Sequence, residues 1–319
     1  MVDIILPVYK VSKKYFEELI ISFNNQIFKD YRLLIGYDDI TSESVVREVL
    51  KSFDQIEAIH IPNKNNQTGI FGNINNLLKH STSEYLQFLC QDDILKNNFL
   101  LENYSSLCQN NDVGMVFCQV DWCDSDSKII KRKAHRVISK WPEKLDYSKL
   151  QWEFLNFGCI PGNLSPVMIK RELLSTVGQF NPNLKFASDF DYWQRISLKY
   201  KIFYIPNANM ILRKHLDQAS ETLGINQLIY DRRIIYNKLI ERIDSNLDKI
   251  IAKLYLNQTI GSNHVYHIIK NKKLGIFFKI KSYPFNYFLS FLFLILTING
   301  RIKFFNIHQN IKFKKLNEN

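Results

Sequence analysis

The sequence predicts an α/β protein whose core is a doubly wound, mostly parallel sheet of the Rossmann-like kind. Short apolar runs alternate with amphipathic segments along the first 120 residues, and polar clusters follow directly after several of the runs. Strands and helices that alternate at this spacing favour right-handed crossovers and parallel strands. Ligands bind beyond the carboxyl ends of the strands in such sheets, so the polar clusters mark the expected site.

Each element rests on a local pattern. The first strand is an apolar run that Pro7 ends, and the first helix, with Ser12 as N-cap, shows apolar residues at three- and four-residue spacing up to Ile27. Further apolar runs predict the other strands, so that the predicted strands are 2–6, 31–37, 56–61, 85–89, 113–120 and 202–205. Further helices are predicted over 42–52, 69–80 and 189–200, and the polar stretch 121–149 is interpreted as a hairpin with an excursion.

Charge divides the chain into a neutral body and a basic tail. Residues 1–248 hold 30 basic and 30 acidic residues, whereas 249–319 hold 12 basic residues and one acid. A neutral body argues against a general nucleic-acid-binding surface. The five cysteines form no C-x-x-C pair, so neither a disulfide framework nor a zinc site is expected. A reducing compartment fits best, and the N-terminal residues lack the basic region of a signal peptide, which favours a cytoplasmic location.

Composition changes after residue 224, which predicts one domain over 1–224 and a helical, basic and aromatic extension over 225–319. Residues 282–300 are uncharged, but polar residues, Pro284 and Gly300 shorten the apolar core of this stretch. A spanning helix needs about 20 apolar residues, so we expect a segment in the membrane interface, with a crossing segment or a buried helix as alternatives. Basic residues flank it on both sides, which predicts contact with an anionic cytoplasmic leaflet.

Acidic residues at strand ends are the main candidates for chemistry. Neither a G-x-G-x-x-G nor a P-loop motif occurs, which disfavours a dehydrogenase or a P-loop enzyme. Asp92 and Asp93 follow the fourth strand, where Mg²⁺ or Mn²⁺ could link carboxylates to phosphates. Two acids that open a helix are the alternative, and the same alternative applies to Asp189 and Asp191. His215 is either a surface histidine or a metal ligand.

Seven segments occur in one order that is characteristic of a known family. They are Val-Asp-Ile-Ile-Leu-Pro-Val-Tyr-Lys, Gly-Tyr-Asp-Asp-Ile-Thr-Ser-Glu, Thr-Gly-Ile-Phe-Gly-Asn-Ile-Asn-Asn, Phe-Leu-Cys-Gln-Asp-Asp, Val-Gly-Gln-Phe-Asn, Ala-Ser-Asp-Phe-Asp-Tyr-Trp-Gln-Arg and Arg-Lys-His-Leu-Asp-Gln-Ala-Ser. Together they resemble a family 2 glycosyltransferase of the GT-A type over residues 2–220. In two places the chain departs from the pattern, because Cys90 replaces the first acid of the D-x-D segment and Ser188 replaces a frequent Glu.

The resemblance implies a role for each candidate residue. It implies Asp189 as the catalytic base, and Asp93, Asp92 and His215 as ligands of a divalent cation, Mn²⁺ or Mg²⁺. Contacts to the nucleotide-sugar are implied for Pro7, Tyr9, Asp38, Asp39, Asn75 and Asp92. Acceptor contacts are implied for Asp191 and Trp193, although Asp191 can equally cap its helix.

The implied activity is inverting transfer of a hexose from a nucleotide-sugar, UDP-linked in the first instance, to a saccharide acceptor. A lipid-linked acceptor in O-antigen or capsule synthesis is expected, with the enzyme peripheral on the cytoplasmic side of the inner membrane. A dTDP-rhamnosyl-type donor on the same fold is the alternative. A sugar nucleotidyltransferase would need a Gly-rich, basic N-terminal loop that residues 7–14 lack, and an inactive binding protein is a further alternative because of Cys90.

Overall fold

The computed structural model describes residues 1–63, 69–132, 141–216, 218, 225–256 and 311–314. The chain divides into two compact units, one formed by Met1–Leu150 with Cys159–Thr222 and the other by Gln151–Gly158 with Leu223–Asn319. The second unit therefore includes residues 151–158, which the predicted boundary after residue 224 assigns to the first domain.

Strands and helices alternate along the first unit. Its strands are β1 (Val2–Val8), β2 (Tyr31–Tyr37), β3 (Ala58–Pro62), β4 (Tyr85–Phe88), β5 (Ile94–Leu95), β6 (Val113–Cys123), β7 (Ile129–Lys131), β8 (Lys144–Leu145), β9 (Val167–Lys170) and β10 (Lys201–Arg213). The described residues include the helices α1 (Lys13–Asn24), α2 (Ile40–Leu50), α3 (Ile70–Leu78), α4 (Phe99–Cys108), α5 (Tyr147–Phe157), α6 (Leu173–Thr176), α7 (Ser188–Ser197) and α8 (Ile225–Glu241).

The strands form one mixed, mostly parallel sheet. Its order is β3-β2-β1-β4-β9-β6-β10-β5, with β7 on β6 and β8 on β10. The strands β3, β2, β1 and β4 pair in parallel, and β10 runs parallel to β6. Between β4 and β6, β9 is antiparallel to both neighbours. The predicted α/β class with a mostly parallel sheet is thus confirmed.

Burial explains why the first elements form where the sequence places them. All seven residues of β1 are buried, as a central parallel strand requires. In α1, Phe16, Leu19, Ile20 and Phe23 are fully buried at the three- and four-residue spacing that places them on one face. Each such side chain contributes about 1.5–3 kcal/mol on burial. The predicted helix ends earlier than expected, at Asn24 instead of Ile27, which is exposed.

Several elements differ from the sequence prediction. Strand β9 and helices α4, α5 and α6 were not predicted, and β10 continues eight residues beyond the predicted end at 205. The predicted end lies before Pro206, which cannot donate a ladder hydrogen bond. Register shifts between Ile205 and Ala208 and between Ala208 and Met210 accommodate that proline, and pairing with β6 then resumes up to Arg213.

The second unit contains α8, a further helical segment over 246–256, and a short return of the chain at 311–314. Ile243 forms an antiparallel bridge with Phe313, and the Lys314 N–H donates to the Arg242 carbonyl at 2.9 Å. Ile243 is fully buried and Ile311 is 7% exposed, so the returning segment belongs to the core of this unit. The predicted interfacial segment 282–300 lies outside the described residues. In the described part of the chain, each helix is too short or too polar to cross a bilayer.

Candidate active site

The carboxyl ends of β1, β2 and β4 meet, as the doubly wound sheet predicts. The Asp38 N–H at the end of β2 donates to the Val8 carbonyl at 3.1 Å. Tyr9 and Gln91 join β1 to the segment after β4, because the Tyr9 N–H donates to Gln91 Oε1 at 2.9 Å and Gln91 Nε2 donates to the Tyr9 carbonyl at 2.8 Å. The Tyr9 ring itself is 52% exposed and open to a ligand. Pro7 is buried within β1 and pairs in register with Gly36.

The Asp39 carboxylate is fully used in hydrogen bonds within the protein. It is the N-cap of α2, accepting hydrogen bonds from the Ser42 N–H at 2.8 Å, the Ser42 hydroxyl and the Thr41 hydroxyl at 2.6 Å each. The Lys10 N–H donates to the same carboxylate at 2.8 Å. Burial alone would raise the pKa of Asp39, but these hydrogen bonds outweigh it and lower the pKa to about 2. This carboxylate fastens the turn after β1 to α2.

Asp38 is in a different environment, although it is the adjacent residue. Its Oδ1 accepts a hydrogen bond from Asn63 Nδ2 at 2.6 Å, and burial raises its pKa. It caps no helix in the described structure. Of the two acids, Asp38 therefore retains more capacity to accept a hydrogen bond from a ligand.

Asp92 and His215 meet beyond the sheet. His215 Nε2 lies 2.7 Å from Asp92 Oδ2, and the side chains are 14% and 17% exposed. The extension of β10 past its bulge delivers His215 to this position. Both side chains retain a surface through which a cation or a phosphate could be reached.

Asp93 is buried, and both of its carboxylate oxygens are engaged. The Ser165 hydroxyl donates to Oδ2 at 2.5 Å, and the Arg213 N–H donates to Oδ1 at 3.0 Å. Burial, together with the charge of the neighbouring Asp92, raises the pKa of Asp93 to about 8. The geometry thus makes Asp93 an anchor of the acidic pair, with less access to a ligand than Asp92.

The Arg213 side chain is buried and ties the acidic pair to the rest of the fold. Its Nε donates to the Asp92 carbonyl at 2.9 Å, and Nη1 donates to the Ser127 hydroxyl at 2.9 Å. Its Nη2 forms an ion pair with Glu18, and the guanidinium lies 4.3 Å from the centroid of the Tyr15 ring. Helix α1, the β6–β7 turn and β10 thereby fix the backbone at Asp92.

Cys90 lies at the centre of the acidic site. The ligand atoms of Cys90, Asp92 and Asp93 all lie within 4.8 Å of one another. The Cys90 N–H donates to the Ser165 hydroxyl at 2.9 Å. Burial and the charges of Asp93, Asp92 and Asp189 raise the pKa of the Cys90 thiol, so it is protonated at neutral pH.

This donor set fits a divalent cation. Carboxylate oxygens and an imidazole are ligands that Mn²⁺ accepts, and Mg²⁺ accepts the oxygens. Asp92 and His215 are partly exposed. Cys90 is partly exposed too, but its thiol is protonated and soft. The residues present thus fit a cation held by Asp92 and His215, with Asp93 behind them.

Asp189 lies in the first turn of α7. Its Oδ1 accepts the Phe190 N–H at 2.7 Å, and the Cys159 thiol lies 3.9 Å from Oδ2. Burial raises the pKa of Asp189 to about 7. A carboxyl group with a pKa near the working pH suits a general base, because it is ionised yet still basic. The loop 159–165 links Asp189 to the acidic pair, because Cys159 contacts Asp189 and Ser165 of the same loop donates to Asp93.

Asp191 and Trp193 are used for packing in this structure. Asp191 is buried and accepts a hydrogen bond from Arg195 Nε at 2.8 Å, and Arg195 also donates to the carbonyls of Val177 and Gln179. Trp193 is fully buried, with its ring centroid 5.9 Å from that of Phe88. The structure therefore gives no support to acceptor contacts by these two residues, because aromatic packing and an ion pair already occupy them.

Asn75 also has a structural contact where a ligand contact was expected. Its Nδ2 donates to the Phe180 carbonyl at 2.8 Å, and the Phe180 N–H donates to its Oδ1 at 3.1 Å. Asn75 is only 6% exposed. The reciprocal pair holds α3 against the loop before α7, so a direct contact with the nucleotide-sugar is without support here.

Sequence reasoning missed three residues of the site. Ser165 and Cys159 are uncharged and lie in a loop without a recognisable motif, so nothing local marked them. Arg213 was noticed only as a neighbour of His215. One feature of the sequence could have indicated its role. Arg213 is a long polar residue at the end of an apolar strand, two positions before the candidate ligand His215, and residues i and i+2 of a strand share a face.

Comparison with known proteins agrees with this geometry. The family model described as "Glycosyl transferase family 2" matches residues 3–177. A Campylobacter jejuni protein named GalNAc(5)-diNAcBac-PP-undecaprenol beta-1,3-glucosyltransferase is 29% identical over 239 residues, which cover 72% of this chain and 70% of that protein.

Solved structures share the fold. TarS 1–349 from S. aureus in complex with UDP-GlcNAc superposes with a TM-score of 0.61 at 17% identity, covering 91% of this chain and 79% of that chain. The match spans 43% of a longer TarS chain. The mannosyltransferase PcManGT from Pyrobaculum calidifontis, in complex with GDP-Man and Mn²⁺, has a TM-score of 0.58 at 14% identity, covering 97% and 83%. At these identities the likeness concerns the fold.

The sheet, the acids beyond its strand ends and these likenesses define a GT-A glycosyltransferase. The chain belongs to glycosyl transferase family 2, as the match over more than half of its length shows.

Proposed function

We propose that this protein is an inverting hexosyltransferase that uses a UDP-sugar and a divalent cation and glycosylates a lipid-linked saccharide. The observation that carries the proposal is the loop 159–165, which contacts the Asp189 carboxylate through the Cys159 thiol at 3.9 Å and the Asp93 carboxylate through the Ser165 hydroxyl at 2.5 Å. Groups suited to the leaving phosphates and a group suited to the attacking hydroxyl thus share one site.

The nucleotide would lie across the ends of β1 and β2. Asp38 retains acceptor capacity for an N–H of the base, and the exposed Tyr9 ring offers a face for stacking. Asp39 stabilises the backbone next to this surface, because its carboxylate accepts hydrogen bonds from the Lys10 N–H and from the first turn of α2. UDP is the first nucleotide to test because a structural neighbour was solved with UDP-GlcNAc.

Asp92 and His215 would hold the cation, with Asp93 and Arg213 fixing the backbone beneath them. A bound Mn²⁺ or Mg²⁺ would supply neutralisation of the charge that develops on the leaving diphosphate. The neighbour PcManGT was solved with Mn²⁺, which agrees with the donor set. The chain's own part is to present one carboxylate and one imidazole in a fixed arrangement.

Asp189 would act as the general base. Ionised Asp189 accepts the proton of the acceptor hydroxyl as that oxygen bonds to the anomeric carbon and the bond to the diphosphate breaks. Attack from the face opposite the leaving group inverts the configuration. An α-linked donor would accordingly give a β-linked product.

A lipid-linked acceptor is supported by two observations. The Campylobacter jejuni relative is named after a PP-undecaprenol-linked saccharide, and the tail of this chain is strongly basic. Basic residues near an anionic leaflet contribute about 1 kcal/mol each. We therefore place the enzyme on the cytoplasmic face of the membrane, as a peripheral protein.

The course of the chain favours an interfacial segment over a crossing one. Residues 242–244 and 311–314 pair with each other in the second unit, so the chain that leaves after 256 returns to the same unit. A single crossing would leave its two flanks on opposite sides of the membrane. An interfacial placement of residues 282–300, instead of a crossing one, is therefore part of the proposal.

The test is product formation from a panel of UDP-, GDP- and dTDP-sugars with a mass-tagged, lipid-linked saccharide acceptor. We expect one UDP-hexose to give a product larger by one hexose, with the opposite anomeric configuration, and Asp189→Asn to abolish it. A dTDP-deoxysugar as the only substrate would correct the donor. No transfer from any donor would overturn the proposal.

A further inference from the structure

We propose that Cys159 is a positioning residue of this enzyme, whose thiol holds the Asp189 carboxylate in the orientation needed to accept the acceptor's proton. The proposal rests on the proposed function, in which Asp189 is the base. Cys159 itself would touch neither the donor nor the acceptor.

The two oxygens of Asp189 have different donors. Oδ1 is held by the Phe190 N–H at 2.7 Å, which belongs to its own helix. Oδ2 is the oxygen that faces the Cys159 thiol, at 3.9 Å, within the range of a hydrogen bond to sulfur. The Asp189 N–H also hydrogen-bonds to this carboxylate. The Cys159 thiol adds a restraint at Oδ2 against rotation about χ2.

The backbone at Cys159 is fixed. The Gly162 N–H donates to the Cys159 carbonyl at 3.1 Å and closes a turn. Three residues later, Ser165 donates to Asp93 at 2.5 Å and accepts the Cys90 N–H at 2.9 Å. A single loop, 159–165, therefore contacts the base through Cys159 and the acidic pair through Ser165.

The environment of Asp189 makes a weak donor effective. The Cys159 thiol contacts Asp189 from the 159–165 loop, and on the same helix as Asp189 the Asp191 carboxylate is paired with Arg195. The Asp189 charge also contributes to the raised pKa of the Cys90 thiol, in the segment after β4. A thiol is a weak donor, and a hydroxyl in its place would stabilise the carboxylate more. Since the pKa of Asp189 is about 7, a small change in donor strength alters the ionised fraction at neutral pH.

The first experiment follows kcat/KM against pH for the full chain and for Cys159→Ala and Cys159→Ser. Losing the donor should move the acid limb up by about half a pH unit to one unit, and the hydroxyl should move it down. The KM for the nucleotide-sugar should change less than twofold in both. A purely structural role would lower kcat/KM by one factor at all pH values and leave the limb in place.

Cys108→Ser is the matched control, because Cys108 is partly exposed at the end of α4 and hydrogen-bonds with tyrosines instead of with a site carboxylate. Its pH profile should equal that of the unmodified enzyme. If Cys159→Ala does not fold, Cys159→Ser decides alone, because an unmoved limb in this variant contradicts the proposal.

The second experiment needs no activity. Iodoacetamide labelling of Cys159 and Cys108 is followed by mass spectrometry in the wild type and in Asp189→Asn. Removing the negative carboxylate should favour the Cys159 thiolate and raise its labelling rate severalfold, while the rate at Cys108 stays the same. Equal rates at Cys159 together with an unmoved acid limb would overturn the proposal. A raised labelling rate in Asp189→Asn, combined with no sugar transfer by the wild type, would overturn the proposed function and leave the contact standing.

Discussion

His215 Nε2 and Asp92 Oδ2 are 2.7 Å apart, although 123 residues separate them in the chain. The end of β10 and the segment after β4 bring them together. Arg213 holds the backbone of this pair at Asp92, and both side chains are partly exposed to a ligand.

The first prediction concerns the cation. Excess chelator should abolish sugar transfer, and Mn²⁺ or Mg²⁺ should restore it, because Asp92 and His215 present an oxygen and a nitrogen ligand. His215→Ala should raise the cation concentration for half-maximal activity at least tenfold, as measured by titration of the metal. His80→Ala, at an exposed position after α3, should behave as the wild type. Full activity in chelator, or in Asp92→Ala, would contradict this assignment.

The second prediction concerns the turnover of Asp189→Asn. General-base assistance contributes about 10²–10⁴ in rate, so kcat should fall by at least two orders of magnitude. Binding of the nucleotide-sugar, measured by calorimetry, should change only a few-fold because the substitution is isosteric. If turnover survives within a few-fold, Asp189 is only a member of the first helical turn.

The third prediction concerns pH. Asp189 must be ionised to accept a proton, and burial raises its pKa to about 7, so kcat/KM should fall as the pH decreases below about 7. A base with an ordinary pKa, near 3.8, would keep its activity down to about pH 5. A pH profile that is flat between 5 and 8 would therefore exclude a buried Asp189 as the base.

The fourth prediction concerns stability. The folded-state pKa of Asp189 exceeds its unfolded value, so this group lowers the stability as the pH rises from about 4 to about 7, and the loss is complete above that range. Asp189→Asn removes the loss. It should be more stable than the wild type at pH 8, by at most about 4 kcal/mol, with a gain near zero at pH 4. Urea titrations at the two pH values measure it, and an equal gain at both would show a cause other than ionisation.

The fifth prediction concerns Arg213, whose buried guanidinium has Glu18 as its ion-pair partner. Glu18→Gln should cost about 1.5–3 kcal/mol of unfolding free energy, because the amide oxygen can still accept a hydrogen bond but the buried guanidinium loses its counter-charge. Glu17→Gln is the matched control on the same helix, since the Glu17 side chain is 44% exposed and lies 3.8 Å from the Lys13 ammonium. Equal unfolding free energies for the two variants would show that the buried pair contributes nothing measurable.

Local patterns in the sequence determine the framework of the site. Continuous apolar runs reflect burial of a strand on both faces, and apolar residues at three- and four-residue spacing reflect burial of one helix face, so β1, β2, β4, α1 and α7 could be predicted. The order of the seven motifs implied the family, and the acids after β2 and β4 were expected at one edge of the sheet, where they lie. These are local properties of the chain or consequences of strand direction.

Tertiary packing selects which residue of each acidic pair is free to act. Asp38 and Asp39 are neighbours with the same side chain, yet Asp39 is saturated by α2 and Lys10, which are partners from other segments. Asp93, unlike Asp92, is engaged by the hydroxyl of Ser165, which is 72 residues further along the chain. Hydrogen bonds between distant segments and the burial of Trp193 depend on how elements pack, and no local pattern records them. The bulged extension of β10 past Pro206, which carries Arg213 and His215 to the acids, is decided in the same way, by pairing with β6.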